Sequence, residues 1–167
     1  MTTAGDPMRI GTGFDIHKLV PERPLFIGGV RIEYPKGLLG HSDGDVLLHA
    51  ICDALLGAAA LGDIGAFFPD SDPALKNANS ALFVESVFRL VCEQKGYDVA
   101  NVDCTVFAHG PRLGNYRDDI RKNIAWLLHV ELSAVNVKFK TMNGIGAVGQ
   151  GDAIAAEAAV LLRPRQA

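Results

Sequence analysis

Asp15, His17 and His49 are the residues whose types and spacing could hold a metal ion in this chain. Phe14-Asp15-Ile16-His17 reads as an extended segment, and a period of two points Asp15 and His17 to the same side. Downstream, the run from His41 to Asp53 reads as the start of a helix in which Asp45, His49 and Asp53 recur every fourth residue on one stripe, with Ser42 or Asp43 able to cap it. If strand and helix converge, Asp15, His17 and His49 supply two imidazoles and a carboxylate, a catalytic zinc ligand set with its fourth position open. Taken alone, His49 is more simply a hydrogen-bonded surface histidine; the Asp-x-His pair shifts the balance toward metal. Asp53 is either an exposed helix acid or a carboxylate that orients a liganding imidazole. His41 and Ser42 stand at the helix start, where free amides and the dipole make phosphate binding physically easy, plain capping being the simpler alternative.

Two further stretches carry chemistry-bearing residues. Gly144-Ile-Gly-Ala-Val-Gly149 follows a strand pattern and matches a dinucleotide fingerprint by letter, but no crossover helix, further strand and distant acid follow it, so it reads as a glycine-rich turn. Lys138, Lys140 and Thr141 just before it could hold phosphate, or merely line a solvated edge. Ala108-His-Gly-Pro-Arg-Leu113 ends another strand pattern, and its amides with Arg112 could receive a nucleotide, though most such loops only turn.

The elements that position these residues follow from periodicity. Residues 9–20 read as a strand whose Gly11 and Gly13 permit close backbone approach, and 25–27 with 30–34 flank Gly28-Gly29 as a small hairpin. A helix is expected over 43–61, stopped by Gly62, and the acid- and proline-bearing stretch 63–73 must loop across the surface. Ser80 is read as the cap of a second helix that buries Leu82, Phe83, Val87, Leu90 and Val91 and ends at Gly96. Residues 102–108 alternate as a strand, a third helix with Ile120, Ile124, Leu127 and Leu128 inward follows Pro111, and 135–141 alternate again. The alanine-rich segment 153–162 favours helix by propensity, although its even positions could line one face of a central strand. Strands alternating with helices make the class mixed α/β, with residues 1–7 a disordered tail and 8–167 one domain.

Composition narrows what such a site serves. The 167 residues are 49% hydrophobic and 21% charged, ordinary for a globular protein, and a net charge of −3 supplies no field for nucleic acid. No apolar run is long enough for a membrane span and the first residues lack a signal-peptide plan, so a cytoplasmic location is expected. Cys52, Cys92 and Cys104 lack paired spacing and read as reduced core thiols.

Arg9-Ile-Gly-x-Gly-Phe-Asp-Ile-His17, His41-Ser-Asp-Gly-Asp-Val-Leu-Leu-His49, Gly62-Asp-Ile-Gly65 and Phe68-Pro-Asp-Ser-Asp-Pro73 together resemble the 2-C-methyl-D-erythritol 2,4-cyclodiphosphate synthases of the non-mevalonate isoprenoid pathway. The resemblance continues through 101–105, 108–113 and 135–138 and covers nearly the whole chain. It implies a mixed-sheet α/β subunit with helices on one side, a homotrimer with active sites between adjacent chains, and a C-terminal strand, against the propensity reading. It also implies that 4-diphosphocytidyl-2-C-methyl-D-erythritol 2-phosphate is cyclised with release of CMP, on a zinc or manganese ion held by Asp15, His17 and His49. By the same resemblance His41 and Ser42 hold the 2-phosphate, Asp63 and Gly65 the methylerythritol hydroxyls with Phe68, Asp70 and Asp72 nearby, and Ala108, Pro111, Arg112 and Leu113 the cytosine. Thr141 would meet the diphosphate from the neighbouring chain's side, next to Lys140, which the residue reading already offers as a phosphate contact.

The chain departs from that pattern in the glycine-rich stretch. Asn143 stands where a glutamate ligand to magnesium is usual, Gln150 replaces an arginine of the trimer cavity while Glu157 is kept, and Arg112 replaces a lysine. An amide oxygen is a weaker ligand for a hard cation than a carboxylate. Two other functional classes share the metal set, a metal-dependent phosphodiesterase and a non-catalytic metal-binding trimer.

Overall fold

A computed structural model describes residues 7–165. The elements run β1 (Arg9–Pro21), β2 (Leu25–Ile27), β3 (Val30–Ile32), β4 (Lys36–Leu38), α1 (Val46–Ala58), α2 (Ile64–Phe67), α3 (Ser80–Phe88), β5 (Tyr97–Phe107), α4 (Arg117–Leu127), β6 (Val135–Lys140), α5 (Gly146–Gly149) and β7 (Ala153–Pro164). The expected disordered tail, residues 1–7, lies outside the described residues except for Pro7.

A five-stranded mixed sheet in the order β4-β1-β7-β5-β6 carries the molecule, and β2 and β3 form the separate expected ribbon. Among the described residues only β5 and β6 pair in parallel; β7 runs antiparallel between β1 and β5. Of the two readings left open for 153–162, the strand is the one that forms, with its even positions on the core face as that reading expected, and the helix favoured by propensity does not. Position won over propensity: β7 has a strand on each edge, and one face of it is buried along its length while the other is covered only at its start, so burial alternates from Ala156 onward. Ala156, Ala158, Val160 and Leu162 point into the main core, whereas Ala153 and Ala155 turn to the opposite face and pack with Val148 of α5. Apart from the single turn of α5, the helices cover one face of the sheet.

On β1 the residues opposite Val160, Ala158, Ala156 and Ile154 are Gly11, Gly13, Asp15 and His17 in turn, so the two glycines and the two proposed ligands share one face. A Cβ on Gly11 would stand 2.0 Å from the Ala54 carbonyl oxygen, and one on Gly13 equally close to that of Ala50. Glycine thus lets α1 lie against β1 at backbone contact. The other face of β1 leaves Ile10, Phe14 and Ile16 exposed.

Several boundaries moved. The helix α1 begins at Val46 and ends at Ala58, shorter at both ends than 43–61. Asn79, not Ser80, caps α3, whose last turn passes into a π-helical stretch, Arg89–Gln94. Phe83, Val87 and Val91 are buried as expected, but Leu82 is 56% exposed and Val84, one turn before Val87 on the same face, is buried instead. Ile120, Ile124, Leu127 and Leu128 are buried as expected. Among the described residues no helix is long and apolar enough to cross a membrane.

Candidate metal centre and substrate cleft

His49 sits on the second turn of α1, and the close approach of that helix to β1 brings its ring against Asp15 and His17. Asp15 Oδ2 lies 2.9 Å from His17 Nε2 and 2.9 Å from His49 Nδ1. Among the described residues these three form a group whose donor atoms all lie within 4.8 Å of one another.

The outer hydrogen bonds of the two imidazoles decide what they present inward. His17 Nδ1 faces the Leu39 carbonyl oxygen at 2.5 Å, and a carbonyl only accepts, so Nδ1 carries the hydrogen and Nε2 turns a lone pair toward Asp15. His49 Nε2 faces Ser80 Oγ at 2.9 Å and Ser42 Oγ at 3.1 Å, leaving Nδ1 toward the same carboxylate. The His17 lone pair aimed at an anionic oxygen is repelled unless a cation lies between them, whether a metal ion or an added proton, and His49 Nδ1 is turned to the same place. The donor set therefore fits a divalent metal. Burial works to raise Asp15, but the hydrogen bonds and charge of His17 and His49 outweigh it and hold the carboxyl far below the usual carboxylate range. Asp15 in turn raises His17 above its ordinary value, against the effect of burial.

Asp45 does not join this stripe. It is the N-cap of α1, with extended dihedrals that take it out of helical register, and it is fully buried. Its carboxylate accepts the N–H groups of Gly28, Gly29, Leu47 and Leu48. Gly28 and Gly29 take positive φ at the two-residue hairpin turn, so Asp45 fastens that turn to the helix end. Neither Ser42 nor Asp43 is the cap. Asp53 stays on the stripe but does not touch a ring: its Oδ1 accepts the Ile64 N–H at 2.7 Å, tying the start of α2 to α1, and burial raises its pKa.

A cleft of about 550 Å³ opens over the three ligands, and His41, Ser42, Gly65, Phe68 and Asp70 line it as well. His41 Nε2 donates to the Asp72 carbonyl oxygen at 2.8 Å, holding the ring beside the loop that follows α2. Phe68 stacks on Phe83 with centroids 4.4 Å apart. Asp63 and Asp72 do not line this cleft; their carboxylates cap α2 and the turn at Pro73–Leu75. Ala108, Pro111, Arg112, Leu113, Lys140 and Thr141 line a second cleft, of about 440 Å³, which shares no residue with the first. The chain by itself thus does not bring the two sets of expected contacts together. Asn143, exposed and hydrogen-bonded to Thr141, has φ 50°, a left-handed backbone that asparagine tolerates better than most residues.

Residue-level reading missed Ser80 and Asp43 as neighbours of the site. Ser80 is fully buried and touches His49, Ser42 and Asp43 together. Two backbone bonds, Asn77 N–H to the His41 carbonyl and Asp43 N–H to that of Ala78, lace the α3 entry onto the α1 entry and bring it there. No sequence period could reveal a contact made by two irregular segments.

The comparisons with known proteins agree with this geometry. Residues 8–163 match the model of the YgbB family. A 2-C-methyl-D-erythritol 2,4-cyclodiphosphate synthase of Geobacillus sp. (strain WCH70) is 55% identical over 157 residues, 94% of this chain and 99% of that one. A Plasmodium falciparum IspF solved as a CDP complex superposes with a TM-score of 0.85 at 40% identity, covering 98% of this chain and all of the other. The bifunctional IspDF of Campylobacter jejuni superposes with a TM-score of 0.91 at 39% identity over 95% of this chain, which spans 42% of that longer protein. With the family model spanning all but the last residue of the sheet and the convergence of Asp15, His17 and His49, the chain belongs to the YgbB family.

Proposed function

We propose that this chain is a 2-C-methyl-D-erythritol 2,4-cyclodiphosphate synthase, converting 4-diphosphocytidyl-2-C-methyl-D-erythritol 2-phosphate to the 2,4-cyclodiphosphate and CMP. The observation that carries this is the carboxylate and two imidazoles gathered at the floor of one open cleft. In the reaction an oxygen of the 2-phosphate attacks the β-phosphorus, a new P–O–P bond forms, and the bond to the CMP oxygen breaks with its electron pair leaving on CMP. Little covalent help is needed; two anionic phosphates must be held together in line. A zinc or manganese ion bound by Asp15, His17 and His49 would neutralise phosphate charge and polarise the β-phosphoryl group.

The remaining roles fall to the chain's own groups. His41 and Ser42 hold the 2-phosphate beside the ligands. Gly65 and Asp63 at the start of α2 receive the methylerythritol hydroxyls, Phe68 and Asp70 close that wall, and Asp72 acts from behind it by holding the His41 ring. Ala108, Pro111, Arg112 and Leu113 take the cytosine, with Lys140 and Thr141 on the diphosphate. Those last six line the separate second cleft, which supports a homotrimer in which one chain's cytidine cleft completes its neighbour's metal cleft. The exposed Ile10, Phe14 and Ile16 on the bare sheet face supply an apolar surface for that packing. Magnesium would rest chiefly on the substrate phosphates, since Asn143 offers only an amide oxygen. We take residues 8–167 as one unit acting in the cytoplasm, where the buried, unpaired Cys52, Cys92 and Cys104 would stay reduced.

Incubation with the diphosphocytidyl substrate and zinc should release CMP and the cyclic diphosphate together. CMP with a linear monophosphate would make the chain a phosphodiesterase, and no CMP would leave a non-catalytic binding protein.

A further inference from the structure

Behind His49, on the side away from the cleft, a chain of polar groups runs inward to Ser80 and Asp43. Ser80 Oγ lies 2.9 Å from His49 Nε2 and donates to Asp43 Oδ1 at 2.5 Å. The same carboxylate is pinned by two backbone donors, Asp45 N–H on Oδ1 at 3.1 Å and Ser80 N–H on Oδ2 at 3.0 Å. A serine hydroxyl has one hydrogen, and an ionised carboxylate can only accept. With its hydrogen committed to Asp43, Ser80 Oγ can serve His49 only as an acceptor, which requires the hydrogen on Nε2 and leaves Nδ1 bare. Ser42 Oγ, 3.1 Å from Nε2, already accepts the Gly44 N–H at 3.2 Å but keeps a rotatable hydrogen, so it does not impose a direction.

We propose that Ser80 and Asp43 are positioning residues that fix the tautomer and orientation of His49 through the contact Asp43–Ser80–His49, so that Nδ1 is presented to the metal. This rests on the reading of His49 as a metal ligand. Ser80 is wholly buried, so water does not replace it as the partner of Nε2. The arrangement parallels that of His17, whose Nδ1–H is fixed by the Leu39 carbonyl; His17 is locked by backbone, His49 by a side-chain pair. Tautomer-fixing partners of liganding histidines change metal affinity on the order of 10- to 100-fold.

The test uses the full-length protein and zinc alone, with affinity read by competition against a chromogenic chelator and the His49 tautomer read from imidazole 15N shifts above neutral pH. Ser80→Ala should weaken zinc on the order of 10- to 100-fold and give a mixed tautomer, with Ser42→Ala having a smaller effect. Asp43→Ala serves as a second variant, because it removes the acceptor that holds the Ser80 hydrogen and frees that hydroxyl to donate to His49 Nε2. A wild-type tautomer and affinity in Ser80→Ala and Asp43→Ala would overturn the relay. His49→Ala separates the two levels: if it abolishes zinc binding while Ser80→Ala changes nothing, the relay alone fails. If it leaves zinc binding intact, the ligand reading fails and the relay with it.

Discussion

Replacing Gly13 with alanine would place a Cβ 2.0 Å from the Ala50 carbonyl oxygen and 2.8 Å from Asp53 Cβ. Recovering ordinary contact requires α1 to retreat from β1 by roughly 1.4 Å, since neither obstacle is the end of a flexible side chain. Asp15 and His17 ride on β1 and His49 on α1, next to Ala50, so the retreat is transmitted directly to the 2.9 Å separations between the ligands. Metal sites tolerate about 0.2 Å of such error. Overpacking of this kind costs about 1–3 kcal/mol, which for a domain of this length lowers Tm by about 2–12 °C. Zinc affinity should fall on the order of tenfold or more. Gly57→Ala on the same helix is the control: its Cβ would meet only the Thr12 carbonyl oxygen, at 3.8 Å. With the better helix propensity of alanine worth about 1 kcal/mol, that variant should melt at or above the wild-type temperature and bind zinc normally. Thermal unfolding of the metal-free proteins and chelator competition measure both quantities. If Gly13→Ala and Gly57→Ala behave alike in either assay, the glycine contact does not position the site.

Asp45→Ala leaves four N–H groups, from Gly28, Gly29, Leu47 and Leu48, without their acceptor in a buried place. It should cost about 3 kcal/mol or more in chemical denaturation, and a loss below about 1 kcal/mol would show that the hairpin turn is held some other way. The pH dependence of the metal-free protein follows from the opposed shifts at Asp15 and His17. Depressed Asp15 contributes stability above its unfolded value of 3.8 and loses it as pH falls through the lower folded value; raised His17 contributes below 6.5 and loses it as pH rises through the higher folded value. The pair is thus fully stabilising between pH 3.8 and 6.5. Above that window the melting temperature should decline without zinc and hold or rise with it, because protons cease to compete for the imidazoles. An Asp15→Asn protein with the same metal-free profile as wild type would refute this account.

The ligand triad was legible because each of its parts obeys a local period, two along β1 and four along α1. The same reasoning misplaced Asp45, since the residue before a helix is not yet in its register, and on α3 it placed Leu82 inward where the face through Phe83, Val84, Val87 and Val91 is the buried one. The C-terminal segment defeated propensity because what makes Ala153–Pro164 a strand is its neighbours, β1 from the start of the chain and β5 from its middle. The resemblance carried that information where the residues alone did not. Ser80 and Asp43 were invisible for another reason: their meeting with His49 depends on two loops hydrogen-bonded across about thirty-five residues of sequence, for which no pattern exists.

The central place of β7 also sets the order of assembly. β1 and β5 do not pair with each other; each is joined to the sheet through β7, which begins only at Ala153. As the ribosome delivers the chain, Asp15 and His17 emerge early on a strand that has as yet no long partner beside it, only the short β4 to come. The sheet closes when the last strand slots between two older ones, so the metal ligands reach their final spacing late, by long-range pairing that is intrinsically slow. Until then Ile10, Phe14 and Ile16 lie on an unfinished edge. Folding of this protein should therefore be governed by the arrival of a segment that contributes no ligand at all.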